Sequence, residues 1–175
     1  MSHEWRQHPK LRRRFHPEAP DDLQVIVHDG GPRLSQNMPE LVWVTVTGAD
    51  ERDVFTGRVL NQPQQLKSVS QGTVIRFVAP AGEHLVMVTD KYLAERERWN
   101  IRGCNKCGFD ELFDAPSDLL RVIFPDLPAD ASMEMFTSFC GICRGVQVVQ
   151  FKNAQPIEND ATPDLKPRKW WQFWR

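Results

Sequence analysis

Long apolar runs are missing from this 175-residue chain. No stretch approaches the ~20 residues that a membrane-spanning helix needs. No apolar block follows the basic residues near Met1-Ser2-His3-Glu4-Trp5, so a secretory signal is not expected, and a reducing cytoplasm is the expected location. A phosphate-cradling glycine loop is absent too: Asp29-Gly30-Gly31-Pro32 lacks both the spacing and the lysine. The proline that precedes the cysteine pair in zinc deaminases is replaced by Gly103 and Phe139, which argues against that chemistry. The histidines offer no alternative centre. His3, His8 and His16 fall in a polar N-terminal stretch, His28 and His84 fall at strand ends, and all five are expected to be solvated. An enzyme is not expected.

Cysteine is scarce, and its placement is the strongest signal present. The four cysteines form two pairs, Cys104-Asn105-Lys106-Cys107 and Cys140-Gly141-Ile142-Cys143, separated by 32 residues. A Cys-x-x-Cys turn presents two thiolates to one ion from the same side, and two such turns make the closed tetrahedral shell of a structural zinc. Gly108 and Gly145 follow the pairs, where a knuckle needs backbone with positive φ. A rubredoxin-like iron site is the rival, because iron accepts the same four thiolates. Two disulfides or a redox pair explain the repeated spacing less well.

The overall charge of −1 conceals an uneven distribution. Residues 1–16 and 166–175 each carry a net +4, which leaves −9 on the body between them. An acidic body with basic ends makes a weak nucleic-acid binder overall.

Alternation and turn residues divide the chain. Residues 1–20 read as a basic extended arm broken by Pro9, Pro17 and Pro20, with Arg12, Arg13 and Arg14 as candidate anion contacts. Residues 21–99 read as a small antiparallel β-barrel or curled sheet, with strands near 23–28, 41–47, 54–60, 73–78 and 84–88. Val42, Val44 and Val46 are expected inside it, facing Ile75, Phe77, Val86 and Val88, and Gly57 is expected to mark a bulge or bend. A helix capped by Thr89 or Asp90 is expected to reach Trp99, with a Lys91–Glu95 pair along it. Residues 100–152 read as a zinc-ribbon-like subdomain with a short helix after Pro116 and a hairpin around the second cysteine pair. The fold class expected is therefore mainly β, α+β, with one or two short helices. The ribbon is expected to unfold on its own, leaving the barrel intact. Residues 153–175 read as a linker followed by an aromatic and basic tail.

The segments Leu41-Val42-Trp43-Val44-Thr45-Val46-Thr47, Phe55-Thr56-Gly57, Leu60-Asn61-Gln62-Pro63 and Gly72-Thr73-Val74 resemble a family of small bacterial β-barrel domains of unknown function. With the cysteine pairs added, about 110 residues resemble uncharacterised bacterial proteins that carry a zinc ribbon. The resemblance implies a barrel and supplies no catalytic residues.

Two functional classes follow. One is a protein-interaction module of adaptor or immunity type. Its tail residues Trp170, Trp171, Phe173 and Trp174 would anchor on a protein partner, pack on the chain's own surface, or touch a membrane peripherally. The other is a nucleic-acid- or ribosome-associated zinc ribbon that uses Arg12–Arg14, Arg102, Lys106 and Arg144. The net acidity of the body favours the first.

Overall fold

The computed structural model describes residues 3–153, and the tail residues Trp170, Trp171, Phe173 and Trp174 lie outside them. Nine strands and two short helices follow one another along the described chain. β1 (Phe15–His16), β2 (Ala19–Val27), β3 (Glu40–Ala49), β4 (Phe55–Val59), β5 (Val74–Val78) and β6 (Leu85–Val88) form one sheet. Neighbours from β2 to β6 pair antiparallel, and β2 then closes the ring on β6. That closure is parallel. In a meander of five strands the first and last run the same way, so an odd-membered barrel cannot close antiparallel throughout.

Alternation fills the interior with Leu23, Val25, Val27, Val42, Val44, Val46, Phe55, Val59, Ile75, Phe77, Leu85 and Met87. The expected inward set is correct on β3 and β5 and wrong by one position on β6. Leu85 and Met87 point in, while Val86 and Val88 point out and are nevertheless buried. All four residues of β6 are buried, because a second layer covers its outer face. The irregularity near Gly57 is borne on the facing strand: the register slips between Val46 and Gly48 on β3, leaving Thr47 as the extra residue.

Residues 3–16 do not form an extended arm. A 3₁₀ turn at Glu4–Gln7 leads to Leu11, which is 0 % exposed in the barrel core, and Trp5 and Phe15 pack against the same core. Arg6 donates to both oxygens of Asp21, at 2.7 and 2.6 Å, and the Trp5 indole N–H donates to the same carboxylate. The Arg6 guanidinium holds the Asp21 carboxyl below its ordinary range. On the other side Asp53 takes Lys10 at 2.8 Å and His8 at 3.0 Å.

The second layer begins with α1 (Asp90–Arg96), capped by Thr89, whose hydroxyl accepts from the Tyr92 N–H. The helix ends before Trp99, which starts β7 (Trp99–Ile101) rather than finishing the helix. The expected Lys91–Glu95 pair does not form. Lys91 pairs with Asp118, and Glu95 is buried, accepting from the Ser117 N–H and hydroxyl at the start of α2 (Pro116–Ile123). Glu95 thus serves one of the orphan N–H groups of the next helix, which lacks a side-chain cap of its own. β8 (Met135–Phe139) and β9 (Val146–Phe151) make the hairpin, and β7 adds to β9, giving the order β7-β9-β8.

This second sheet is not a separate body. Its inner residues Phe136 and Val149, with Leu112 and Leu119, share one buried cluster with Val54, Val78 and Val88 from the outside of the barrel. A second shared cluster joins Ile26 and Val86 to Cys104, Phe109, Phe113 and Cys140. The two layers therefore meet across continuous hydrophobic contacts.

Candidate metal centre

The four cysteines converge. Their sulfurs all lie within 4.8 Å of one another, with Cys104 to Cys143 at 3.4 Å and Cys107 to Cys140 at 3.6 Å. Four thiolates around one ion at ~2.3 Å would stand about 3.8 Å apart, so the cluster fits a tetrahedral four-sulfur metal site. Cys104 and Cys140 are buried, Cys143 is half-buried and Cys107 is exposed.

The two knuckles are backbone copies of each other. In the first, Gly108 N–H donates to Cys104 C=O at 2.9 Å and Cys104 N–H donates to Phe109 C=O at 2.8 Å. In the second, Arg144 N–H donates to Cys140 C=O at 3.0 Å and Cys140 N–H donates to Gly145 C=O at 2.7 Å. The residue after each second cysteine is left-handed: Gly108 at φ 77° and Arg144 at φ 58°. So the positive φ expected at Gly145 falls on Arg144, at a cost of roughly 1–2 kcal/mol for a residue with a Cβ. Gly145 answers to close approach instead, since a Cβ there would stand 2.5 Å from the Cys104 sulfur.

Burial disfavours the Cys104 thiolate, but the N–H groups of Cys107 and Lys106 and the neighbouring sulfurs outweigh it and bring its pKa down to about 6. Burial raises the Cys107 and Cys140 thiols above the ordinary range. Without a cation, four thiolates cannot coexist at this spacing; a bound dication removes the conflict. The hairpin strands, the β7–β9 pairing and the Asn105 side chain, which accepts from the Val146 N–H at 2.9 Å, fix one knuckle against the other.

His28 was expected in solvent and is instead 2 % exposed. Its Nε2 faces Met87 C=O at 2.9 Å, its Nδ1 accepts from the Gly30 N–H, and its ring stacks on Phe113 with centroids 3.9 Å apart. Phe113 in turn packs on Gly141 of the second knuckle. Burial pushes the His28 pKa down to about 4. The chain has one His-x-Glu tripeptide, His16-Pro17-Glu18, at the β1–β2 turn; His16 packs edge-on against Trp43 and contributes nothing to the sulfur cluster.

Of the candidate anion contacts, Arg12 and Arg13 are exposed, whereas Arg14 is half-buried and donates to the carbonyls of Glu83 and Gly82. Arg102, Lys106 and Arg144 are exposed around the knuckles. One buried polar network had no sequence signal. Tyr92 donates to Glu111 while Arg96 lies 3.4 Å from the same carboxylate, tying α1 to the loop after the first knuckle. Burial raises both the Glu111 carboxyl and the Tyr92 phenol. Only the fold brings together residues 92, 96 and 111, so no local pattern announces them.

Among the described residues, no helix is long and apolar enough to cross a membrane. No family model matches this chain, and neither does any curated protein or solved structure. The resemblance to a small bacterial barrel family is therefore not carried by any match; what stands is a closed five-stranded barrel joined to a four-cysteine cluster.

Proposed function

We propose that this chain is a non-enzymatic protein-interaction module of adaptor or immunity type, working in the cytoplasm, in which Cys104, Cys107, Cys140 and Cys143 hold one structural zinc ion. The observation that carries the metal reading is the pair of matched knuckles converging on one point with four sulfurs, joined by no further His, Asp or Glu among the described residues. Four sulfur ligands complete a tetrahedral shell and leave no position for a reacting water, which separates this centre from catalytic zinc. Its place between the layers, packed with Ile26, Val86, Phe109 and Phe113, suits an ion that organises the fold. Elemental analysis of protein purified without added metal tests the assignment: one zinc per chain is expected. One iron with visible charge-transfer absorption would establish the rubredoxin-like alternative. The interaction role is tested by affinity capture from native extract with the full chain and with residues 166–175 deleted. A partner retained by the first and lost by the second would make Trp170, Trp171, Phe173 and Trp174 its anchor, and loss of liposome binding alone would place them at a membrane.

The nucleic-acid alternative draws support from Arg102, Lys106 and Arg144, which stand exposed without an acidic ion-pair partner among the described residues. Salt-dependent retention on immobilised single-stranded nucleic acid, lost when those three are replaced by glutamine, would favour it.

A further inference from the structure

Among the described residues, nothing covers one face of the β7-β9-β8 sheet. Residues directly opposite in register share a face, so Met135 and Gln150, Thr137 and Val148, and Phe139 and Val146 form three uncharged rows on the side away from the barrel. At the knuckle end of that face Phe139 and Val146 are 42 % and 41 % exposed. The chain between β2 and β3 comes up beside them. Its Arg33 guanidinium lies 4.5 Å from the centre of the Phe139 ring, and its Met38, 51 % exposed, receives Arg144 at 3.7 Å from its sulfur. The Lys106 side chain lies beside Gly145, which precedes Val146. Large apolar groups at this level of exposure, gathered at one place and rimmed by cations, mark an interaction surface rather than scattered surface residues.

The rim has one sign. Arg33, Lys106 and Arg144 take part in no ion pair among the described residues. Two carboxylates that belong to the same corner are engaged internally: Asp114 accepts from the Gly31 N–H at 2.8 Å, and Asp29 accepts from Asn37, Lys67 and Ser68. From Arg98 to Phe109, and again from Phe139 to Val149, the chain contains basic residues and no acid.

We propose that this surface docks a protein segment that combines acidic side chains with large apolar ones, the carboxylates meeting Arg33, Lys106 and Arg144 and the apolar groups covering Phe139, Val146 and Met38. The proposal rests on the interaction-module reading and names its partner's chemistry. Charge complementarity selects the occupant. A second copy of the same face would set cation against cation. Single-stranded nucleic acid needs free aromatic faces for its bases, and the one exposed ring here already carries Arg33 over it. The other exposed groups, Met38, Val146 and Met135, are aliphatic and present no stacking plane.

The test is selection of a random-peptide phage library on the metal-loaded full-length protein, followed by affinity measurement of the selected peptides. Selected sequences should pair Asp or Glu with Leu, Ile or Phe. Their affinity should fall at least ~10-fold for Phe139→Ala and for Arg33→Glu, two exposed positions outside the metal ligands, and should weaken as salt rises. Unchanged metal content and melting temperature in both variants confirm that the fold is intact, and Arg144→Glu supplies a third probe should either variant fold poorly. Selected peptides without acids, peptides indifferent to all three substitutions, or displacement of the peptides by oligo(dT) at comparable concentration would overturn the proposal. Peptides that bind only through residues 166–175 would overturn this surface while leaving the interaction module standing. If no peptide is selected by any form of the protein, both fall.

Discussion

The barrel interior is filled from all sides by the five closed strands and the folded N-terminal segment, whereas the three-stranded sheet has one face covered and, among the described residues, one face left uncovered. The barrel therefore carries its own core. The smaller sheet borrows: its inner face packs on Val54, Val78 and Val88 of the barrel's outside, and its far end is tied by four sulfurs in place of a further hydrophobic layer. Small units commonly replace missing apolar burial with a metal. Here, though, the debt runs both ways. Ile26, Val86 and Val88 are outward-facing barrel residues that stay buried only while the cysteine-bearing layer covers them.

The sharpest way to break this comparison is Cys140→Ser. Structural zinc contributes on the order of 10 kcal/mol to the domains it organises, so loss of one buried ligand should release the ion and unfold residues 99–151. If the shared seams are real, the barrel does not survive as an independent unit with unchanged stability. Calorimetry should show its transition moved to lower temperature, with new exposure of apolar surface to a hydrophobic dye. A barrel melting at the wild-type temperature after metal loss would return the molecule to two autonomous domains.

A matched pair of aspartates probes the difference between covered and open faces. Val44→Asp places an unpaired charge in the barrel core and should cost about 3–5 kcal/mol, enough to unfold a domain of ordinary stability. Val146→Asp, on the open face of the second sheet, should change stability by about 0.5 kcal/mol or less. Denaturant midpoints of the two variants measure both effects, and similar losses at the two sites would mean that the open face is covered.

The barrel's strands and the four-cysteine cluster were legible because each depends on local spacing: period two for the strands, two residues between cysteines for the knuckles. What failed depended on layers meeting. Val86 and Val88 share a sequence pattern with any inward-facing pair, and only the second layer reveals that both faces of β6 are buried. Leu11 is a single apolar residue in a polar, proline-broken stretch, so no periodicity marks it as core. Glu95 and Lys91 obey the helix-pairing rule in sequence, yet each finds a better partner on α2, which no local rule locates. The tripeptide Cys143-Arg144-Gly145 suggests a left-handed residue at its glycine, by backbone preference, whereas the repeated hydrogen-bond pattern puts it one position earlier, on Arg144.

A pH-dependent effect is expected where the two regions touch. His28 directly follows β2 on the barrel, and its ring stacks on Phe113, which packs against the second knuckle. Buried and neutral, it bonds Met87 through Nε2 and Gly30 through Nδ1. Protonation would desolvate a charge and forfeit the Nδ1 acceptor, which is why burial lowers its pKa from 6.5 to about 4. In the unfolded chain the imidazole takes up its proton first, so the unfolded state binds more protons between these two values. Stability should therefore be unaffected by His28 above pH 6.5 and should decline as pH falls from 6.5 to 4, by about 3 kcal/mol in all. Acid also protonates the four clustered cysteines, so the test is a difference. His28→Gln, which does not titrate, should start less stable at pH 7 and lose about 2 kcal/mol less than wild type between pH 7 and pH 5, measured by denaturant unfolding. Loss of a metal from that cluster would affect both proteins alike and cancel in the comparison. Parallel stability curves would show that His28 meets the proton as easily when folded as when unfolded, and that the seam between the layers is open to water at this point.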